Sequence, residues 1–152
     1  MQLSIVIPLF NEQNSLEELN ETIEKVVSAM GIEYEIIYID DGSNDNSWNV
    51  IKDLAKKSDQ IKGIKFLRNF GKSQALSAGF KSAKGDVVIT MDADLQDDPN
   101  EIPNLFKAIN EENFDLISGW KKKRYDSFIF KNLPSKIFNW AARKTSGIKL
   151  ND

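Results

Sequence analysis

Short apolar runs, each followed by a longer amphipathic segment, alternate through the first 119 residues, and few folds accept that order. SIVIPLF (4–10) reads as a buried strand. Over 14–30, Leu16, Leu19, Ile23, Val26, Val27 and Met30 recur at helical spacing. Ser15 with Glu18 fits a capping box there, and Gly31 fits the C-terminal stop. The same reading gives strands at 34–40, 61–67, 86–92 and 114–119. Helices are expected at 47–57, at 72–83 ending near Gly85, and at 100–110, where Pro103 is tolerable only in the first turn. Pro134 opens a last helix to about Thr145. Strand-helix alternation of this kind predicts an α/β fold with a Rossmann-like, mostly parallel sheet flanked by helices. Such sheets bind ligands beyond the carboxyl ends of their strands, so those positions carry the functional information.

Four strand ends deliver polar groups to one edge: Pro8 to Glu12, Asp40 to Ser43, Arg68 to Lys72, and Asp92 to Asp98. Asp45, Asn46, Asp97 and Asp98 are read as ordinary turn and cap residues. Asp40-Asp41 and Asp92-Ala93-Asp94 are different, because like charges crowded at the ends of buried strands are costly unless a cation neutralises them. In extended or turning backbone, residues i and i+2 can point to one side. Asp92 and Asp94 can then share one hard cation whose remaining positions stay open for phosphate oxygens and water, with Gln96 as a neutral oxygen donor.

Composition narrows the chemistry. There is no cysteine and no histidine, which removes disulfides, thiolate metal sites and every Ser-His or Cys-His triad. A metal here is bound by oxygen, which favours Mg²⁺, Mn²⁺ or Ca²⁺. The glycine-rich fingerprints of dinucleotide-binding folds and of P-loop NTPases are both missing. Charge is strongly asymmetric: residues 1–119 carry 11 Lys and Arg against 21 Asp and Glu, whereas 120–150 carry 9 against one acid, Asp126. No apolar run approaches the ~18 residues of a membrane span.

SIVIPLFNE (4–12), YIDDGSNDNS (38–47), RNFGKSQALSAGF (68–80) and MDADLQDDP (91–99) together resemble the family 2 inverting glycosyltransferases, in particular their polyprenyl-phosphate, dolichol-phosphate mannosyltransferase-like branch. The resemblance implies an A-type glycosyltransferase fold and a metal-dependent enzyme moving a sugar from a nucleoside-diphosphate sugar to a lipid-phosphate acceptor. It implies that Pro8, Phe10, Glu12, Asp40 and Asp41 line the base and ribose pocket, where the family often has Tyr at the Phe10 position. It implies that Asp92, Asp94 and Gln96 hold Mg²⁺ or Mn²⁺, and that Ala93 lies against the nucleotide. Lys121 falls where the branch usually places an arginine near the diphosphate. Asp152, in a segment like the start of the acceptor-side motif, is the candidate catalytic base or acceptor-orienting carboxylate.

On this reading 1–119 is a nucleotide-sugar-binding core. Residues 120–152 are a basic acceptor-side and membrane-side segment, truncated before the acceptor motif and membrane helices. The basic run predicts attraction to an anionic membrane surface and not to nucleic acid, because no nucleic-acid motif accompanies it. The expected location is cytoplasmic, at the membrane's cytoplasmic face for a longer protein, in cell-envelope glycan synthesis. Rival readings are a receiver-like regulatory module, which wants its acidic pair after the first strand, a nucleotidyltransferase, which wants a glycine-rich basic loop there, and a binding domain without activity.

Overall fold

The computed structural model describes residues 1–112 and 114–119. The chain divides into two compact units, Met1–Ile117 and Ser118–Asp152, and the elements below belong to the first. Their order is β1 (Leu3–Leu9), α1 (Leu16–Ala29), β2 (Tyr34–Asp40), α2 (Ser47–Lys57), β3 (Ile61–Lys65), α3 (Lys72–Ser82), β4 (Val87–Thr90) and α4 (Ile102–Glu111). A 3-10 turn, Pro99–Glu101, leads into α4, whose Pro103 sits in the first turn where no backbone donor is lost.

The strands form one parallel sheet in the order β3-β2-β1-β4. β1 is central, pairing from Leu3↔Tyr34 to Leu9↔Asp40 on one side and from Leu3↔Val87 to Val6↔Thr90 on the other. All seven of its residues are buried, as an apolar run without polar alternation requires. Leu3, Ile5, Ile7 and Leu9 join Ile36 and Tyr38 on the face covered by Leu16, Leu19, Ile23 and Val27 of α1, Ile51 and Leu54 of α2, and Ile102 of α4. Val6, Ile37 and Ile39 face the other way, onto Ala75 of α3. Each such side chain taken fully out of water contributes roughly 1.5–3 kcal/mol. Gly79 lets α3 come close, since a Cβ there would stand 2.4 Å from Val6 Cγ1 and 2.9 Å from Ile39 Cδ1.

Buried polar side-chain atoms among the described residues are paired, except Asp40 Oδ2, which has no hydrogen-bond partner. The Tyr38 hydroxyl donates to Asn20 Oδ1 at 3.0 Å, and burial pushes its pKa upward, so it stays a donor. At the amino end of the sheet Glu35, 1% exposed, accepts from Ser4 Oγ at 2.7 Å, from the Lys84 backbone N–H at 2.7 Å and from Lys62 Nζ at 2.5 Å. One carboxylate thereby ties β1, β2, β3 and the α3–β4 connection together.

Three sequence expectations change. Residues 114–119 are not a strand: Phe114 is 53% and Leu116 83% exposed, and the segment pairs with no strand among the described residues. The capping box is not made, because the Ser15 hydroxyl turns back to Glu12, donating to its carbonyl at 3.0 Å and to Oε2 at 3.2 Å. β3 and β4 are also shorter than their apolar runs, giving their last residues to the loops. The helix expected from Pro134 lies outside the described residues.

Candidate active site

The carboxyl ends of the four strands share one edge of the sheet, and a cleft of about 400 Å³ opens there. Pro8, Leu9, Phe10 and Glu12 line it from β1 and its loop, and Asp41 from the end of β2. Asn69, Gly71, Lys72 and Ala75 line it from the β3–α3 connection and α3, and Asp92, Ala93 and Asp94 from the loop after β4. The chain returns across the sheet between β1 and β4, so the cleft lies at a topological switch point.

The first two loops hold each other. Asn11 and Glu12 donate their backbone N–H groups to Ser43 Oγ and Ser47 Oγ, both at 2.9 Å, and Gln13 N–H donates to Asp45 Oδ2 at 3.2 Å. In return Asn44 N–H donates to Asn11 Oδ1 at 2.9 Å and Asn46 N–H to Gln13 Oε1 at 2.8 Å. Asn11 has φ 59°, a left-handed conformation that asparagine tolerates better than most residues. Partial burial works to raise the Asp45 pKa, but hydrogen bonds from Ser47 and Gln13 outweigh it and hold the carboxyl below its usual range.

Asp41 is 4% exposed, and its two oxygens accept the backbone N–H groups of Phe70 and Gly71, both at 2.8 Å. The loop before α3 is thus hung from the end of β2. Gly42 follows at φ +74°, so close to that loop that a Cβ would stand 2.4 Å from the Arg68 carbonyl carbon. Asp40 is fully buried and does not line the cleft. Its Oδ1 accepts the Ser43 N–H at 2.8 Å and turns the β2–α2 loop.

The loop after β4 closes on itself. Asp97 Oδ2 accepts the Asp92 N–H at 2.9 Å, Asp94 Oδ1 accepts the Gln96 N–H at 3.1 Å, and Asp98 Oδ1 accepts the Asn100 N–H at 2.9 Å. Those bonds from Asn100 lower the Asp98 pKa. Leu95, between the two turns, has φ 61°, which a branched side chain adopts only where the surrounding bonds impose it. Asp92 forms an ion pair with Lys72 across the cleft. Among the described residues no three acidic groups converge into a closed cation cage. Two carboxylates at the open rim of a cleft instead suit a small hard cation that keeps most of its positions for water and phosphate oxygens.

Pro8, Phe10, Glu12, Asp41, Asp92, Ala93 and Asp94 thus share one cleft, as sequence reasoning grouped them. Gln96 is exposed and does not line it, while Lys121 and Asp152 lie outside the described residues. Sequence reasoning placed Arg68 to Lys72 at this edge but gave Asn69, Gly71 and Lys72 no role in the site, and it read Asp97 as an ordinary turn or cap residue. The signal for the first three was their place after the third strand.

The chain is 43% identical over 151 residues to an undecaprenyl-phosphate 4-deoxy-4-formamido-L-arabinose transferase of Shewanella sediminis, covering 99% of this chain and 45% of that protein. It is 34% identical over 153 residues to a dodecaprenyl-phosphate galacturonate synthase of Rhizobium johnstonii, covering 100% of this chain and 45% of the relative. The chain therefore spans a little under half the length of these curated relatives. Its fold matches glucosyl-3-phosphoglycerate synthase from Mycobacterium tuberculosis, solved in complex with Mn²⁺, uridine-diphosphate-glucose and phosphoglyceric acid. That match has a TM-score of 0.72 at 19% identity, over 96% of this chain and 50% of that one. The α/β arrangement is thus the A-type glycosyltransferase fold. The glycosyl transferase family 2 model matches residues 4–151, nearly the whole sequence and all the strand ends that build the cleft, and this chain belongs to that family.

Proposed function

We propose that this chain binds a nucleoside-diphosphate sugar in the cleft and transfers the sugar, with inversion, to a polyprenyl-phosphate acceptor. One observation carries the donor side: the cleft wall holds four carboxylates, Glu12, Asp41, Asp92 and Asp94, against one ammonium, Lys72. An anionic diphosphate is repelled from such a wall unless a cation comes with it. Asp92 and Asp94 would hold Mg²⁺ or Mn²⁺, and the ion would offset the charge growing on the leaving diphosphate. Pro8, Phe10 and Glu12 offer the other wall to the base and ribose, and Asp41 holds the loop that faces them. The acceptor oxygen attacks the anomeric carbon as the bond to the diphosphate oxygen breaks. A lipid phosphate is already ionised near neutral pH and needs little help from a base, which suits a chain without histidine.

The relatives' names support the lipid-phosphate acceptor. Residues 120–152 are proposed as the acceptor-side and membrane-side segment, Lys121 meeting the diphosphate and Asp152 orienting the acceptor. Among the described residues no helix is long and apolar enough to cross a membrane. The rival regulatory reading loses its ground with family membership.

Calorimetry of this chain against uridine- and guanosine-diphosphate sugars, with and without Mn²⁺, tests the donor side. One sugar nucleotide should bind in a metal-dependent way, and transfer of its labelled sugar to polyprenyl phosphate should follow. If every donor binds equally well after chelation, the reading fails. Flotation with anionic and neutral vesicles tests the basic segment: binding should need anionic lipid, fall with salt, and drop when Lys121, Lys122, Lys123 and Arg124 become glutamine.

A further inference from the structure

Lys72 is the first residue of α3, and its ammonium pairs with Asp92 Oδ1 across the cleft. It is the only basic residue in the cleft wall among the described residues. Asp94, two residues from Asp92, meets no ammonium among the described residues: its Oδ1 accepts a backbone N–H from Gln96. The two carboxylates proposed to share a cation are therefore unequal in the empty cleft. One is already neutralised by a side chain of the same protein.

Resting on the metal reading above, we propose that Lys72 is a built-in competitor for the divalent cation, occupying Asp92 when the cleft is empty and leaving it when the metal arrives. An ammonium and a divalent cation cannot share one exposed carboxylate oxygen without strong repulsion. Metal entry and release of Lys72 are then one event. The side chain is 59% exposed and carried on four flexible methylenes, so it can swing away without moving α3. The backbone beneath it does not swing, because Asp41 pins the Phe70 and Gly71 N–H groups next to it. The consequence is linkage: the free protein takes the metal weakly, and an anionic diphosphate that accepts the released ammonium makes metal binding stronger.

The test is direct Mn²⁺ titration of the whole chain without nucleotide, following free Mn²⁺ by electron paramagnetic resonance. Lys72→Met should bind Mn²⁺ about five- to tenfold more tightly than wild type, the order expected when a partly exposed ion pair and a repelling charge are both removed. Lys72→Arg keeps the charge and should stay within about twofold of wild type. Adding uridine diphosphate should raise Mn²⁺ affinity more in wild type than in Lys72→Met. Equal Mn²⁺ affinity in wild type and Lys72→Met, with that affinity lost in the Asp92→Asn and Asp94→Asn double variant, overturns the competition and leaves the metal site standing. Mn²⁺ binding that survives the double variant overturns both. Circular dichroism of each variant confirms that α3 remains folded.

Discussion

Asp41 Oδ2 accepts the Gly71 backbone N–H at 2.8 Å, while its other oxygen takes the neighbouring Phe70 N–H at the same distance. A carboxylate at the end of β2 therefore sets the position of the loop that starts α3. Asp41→Ala would strip both donors of their partner in a largely buried place. It should cost about 3 kcal/mol in urea unfolding and also weaken nucleotide binding. Asp41→Asn keeps one acceptor and should lose about half as much stability. If Asp41→Ala weakened nucleotide binding with no change in the unfolding midpoint, the side chain would serve the ligand and not the loop.

Gly42 and Gly71 both adopt positive φ, +74° and +94°, but in different surroundings. A Cβ on Gly71 meets nothing within 4 Å, whereas one on Gly42 lands 2.4 Å from the Arg68 backbone. Gly71→Ala should therefore show backbone strain alone, about 1–3 kcal/mol. Gly42→Ala adds a clash with main chain that no rotamer relieves, and it should be the more damaging of the two. Thermal melts of both variants decide the order.

Asp92 and Asp94 sit in a loop that Asp97 and Asp98 already close through backbone bonds, and Asp92 is 39% exposed. Asp92→Asn with Asp94→Asn should change stability by less than about 1 kcal/mol, since an exposed ion pair contributes little. The same double variant should abolish the metal-dependent part of nucleotide binding. A large loss of stability with nucleotide binding intact would make these residues turn formers only.

Strands and helices around the cleft were legible because burial writes a pattern into the sequence: β1 runs apolar from Ile5 to Leu9, β2 is apolar from Ile36 to Ile39, and α1 repeats at helical spacing. FDLISG (114–119) has only Phe114, Leu116 and Ile117 as apolar residues, and Leu116 stays exposed, because a short apolar run cannot say whether a strand finds a neighbour. Ser15 and Glu18 have capping-box spacing, but the Ser15 hydroxyl and backbone N–H both donate back to Glu12 instead. The acidic residues of the cleft were legible as crowded like charges. Lys72 was not, because a lone lysine after a strand is chemically ambiguous until Asp92 is seen opposite it.

The last prediction concerns acid stability and lies at the far end of the sheet. Burial of Glu35 works to raise its pKa, but the Lys62 ammonium, the Ser4 hydroxyl and the Lys84 N–H outweigh it and hold the carboxyl below its ordinary value. A depressed carboxylate pKa stabilises the fold above the unfolded-state value near ~4.3, and that contribution disappears as pH falls through the lower folded value. Glu35→Gln removes the charge that Lys62 meets while keeping a group of similar size. At neutral pH the variant should be less stable by about 2 kcal/mol, below the cost of breaking a fully buried pair because Lys62 is 38% exposed. The gap between wild type and variant should hold from about pH 7 to about pH 5 and then narrow as the solution is taken toward about pH 3. Urea midpoints across that range measure it. A gap that stays constant through the acid limb would mean that the Glu35 charge does not hold the three strands together, and that shape and hydrogen bonding alone do.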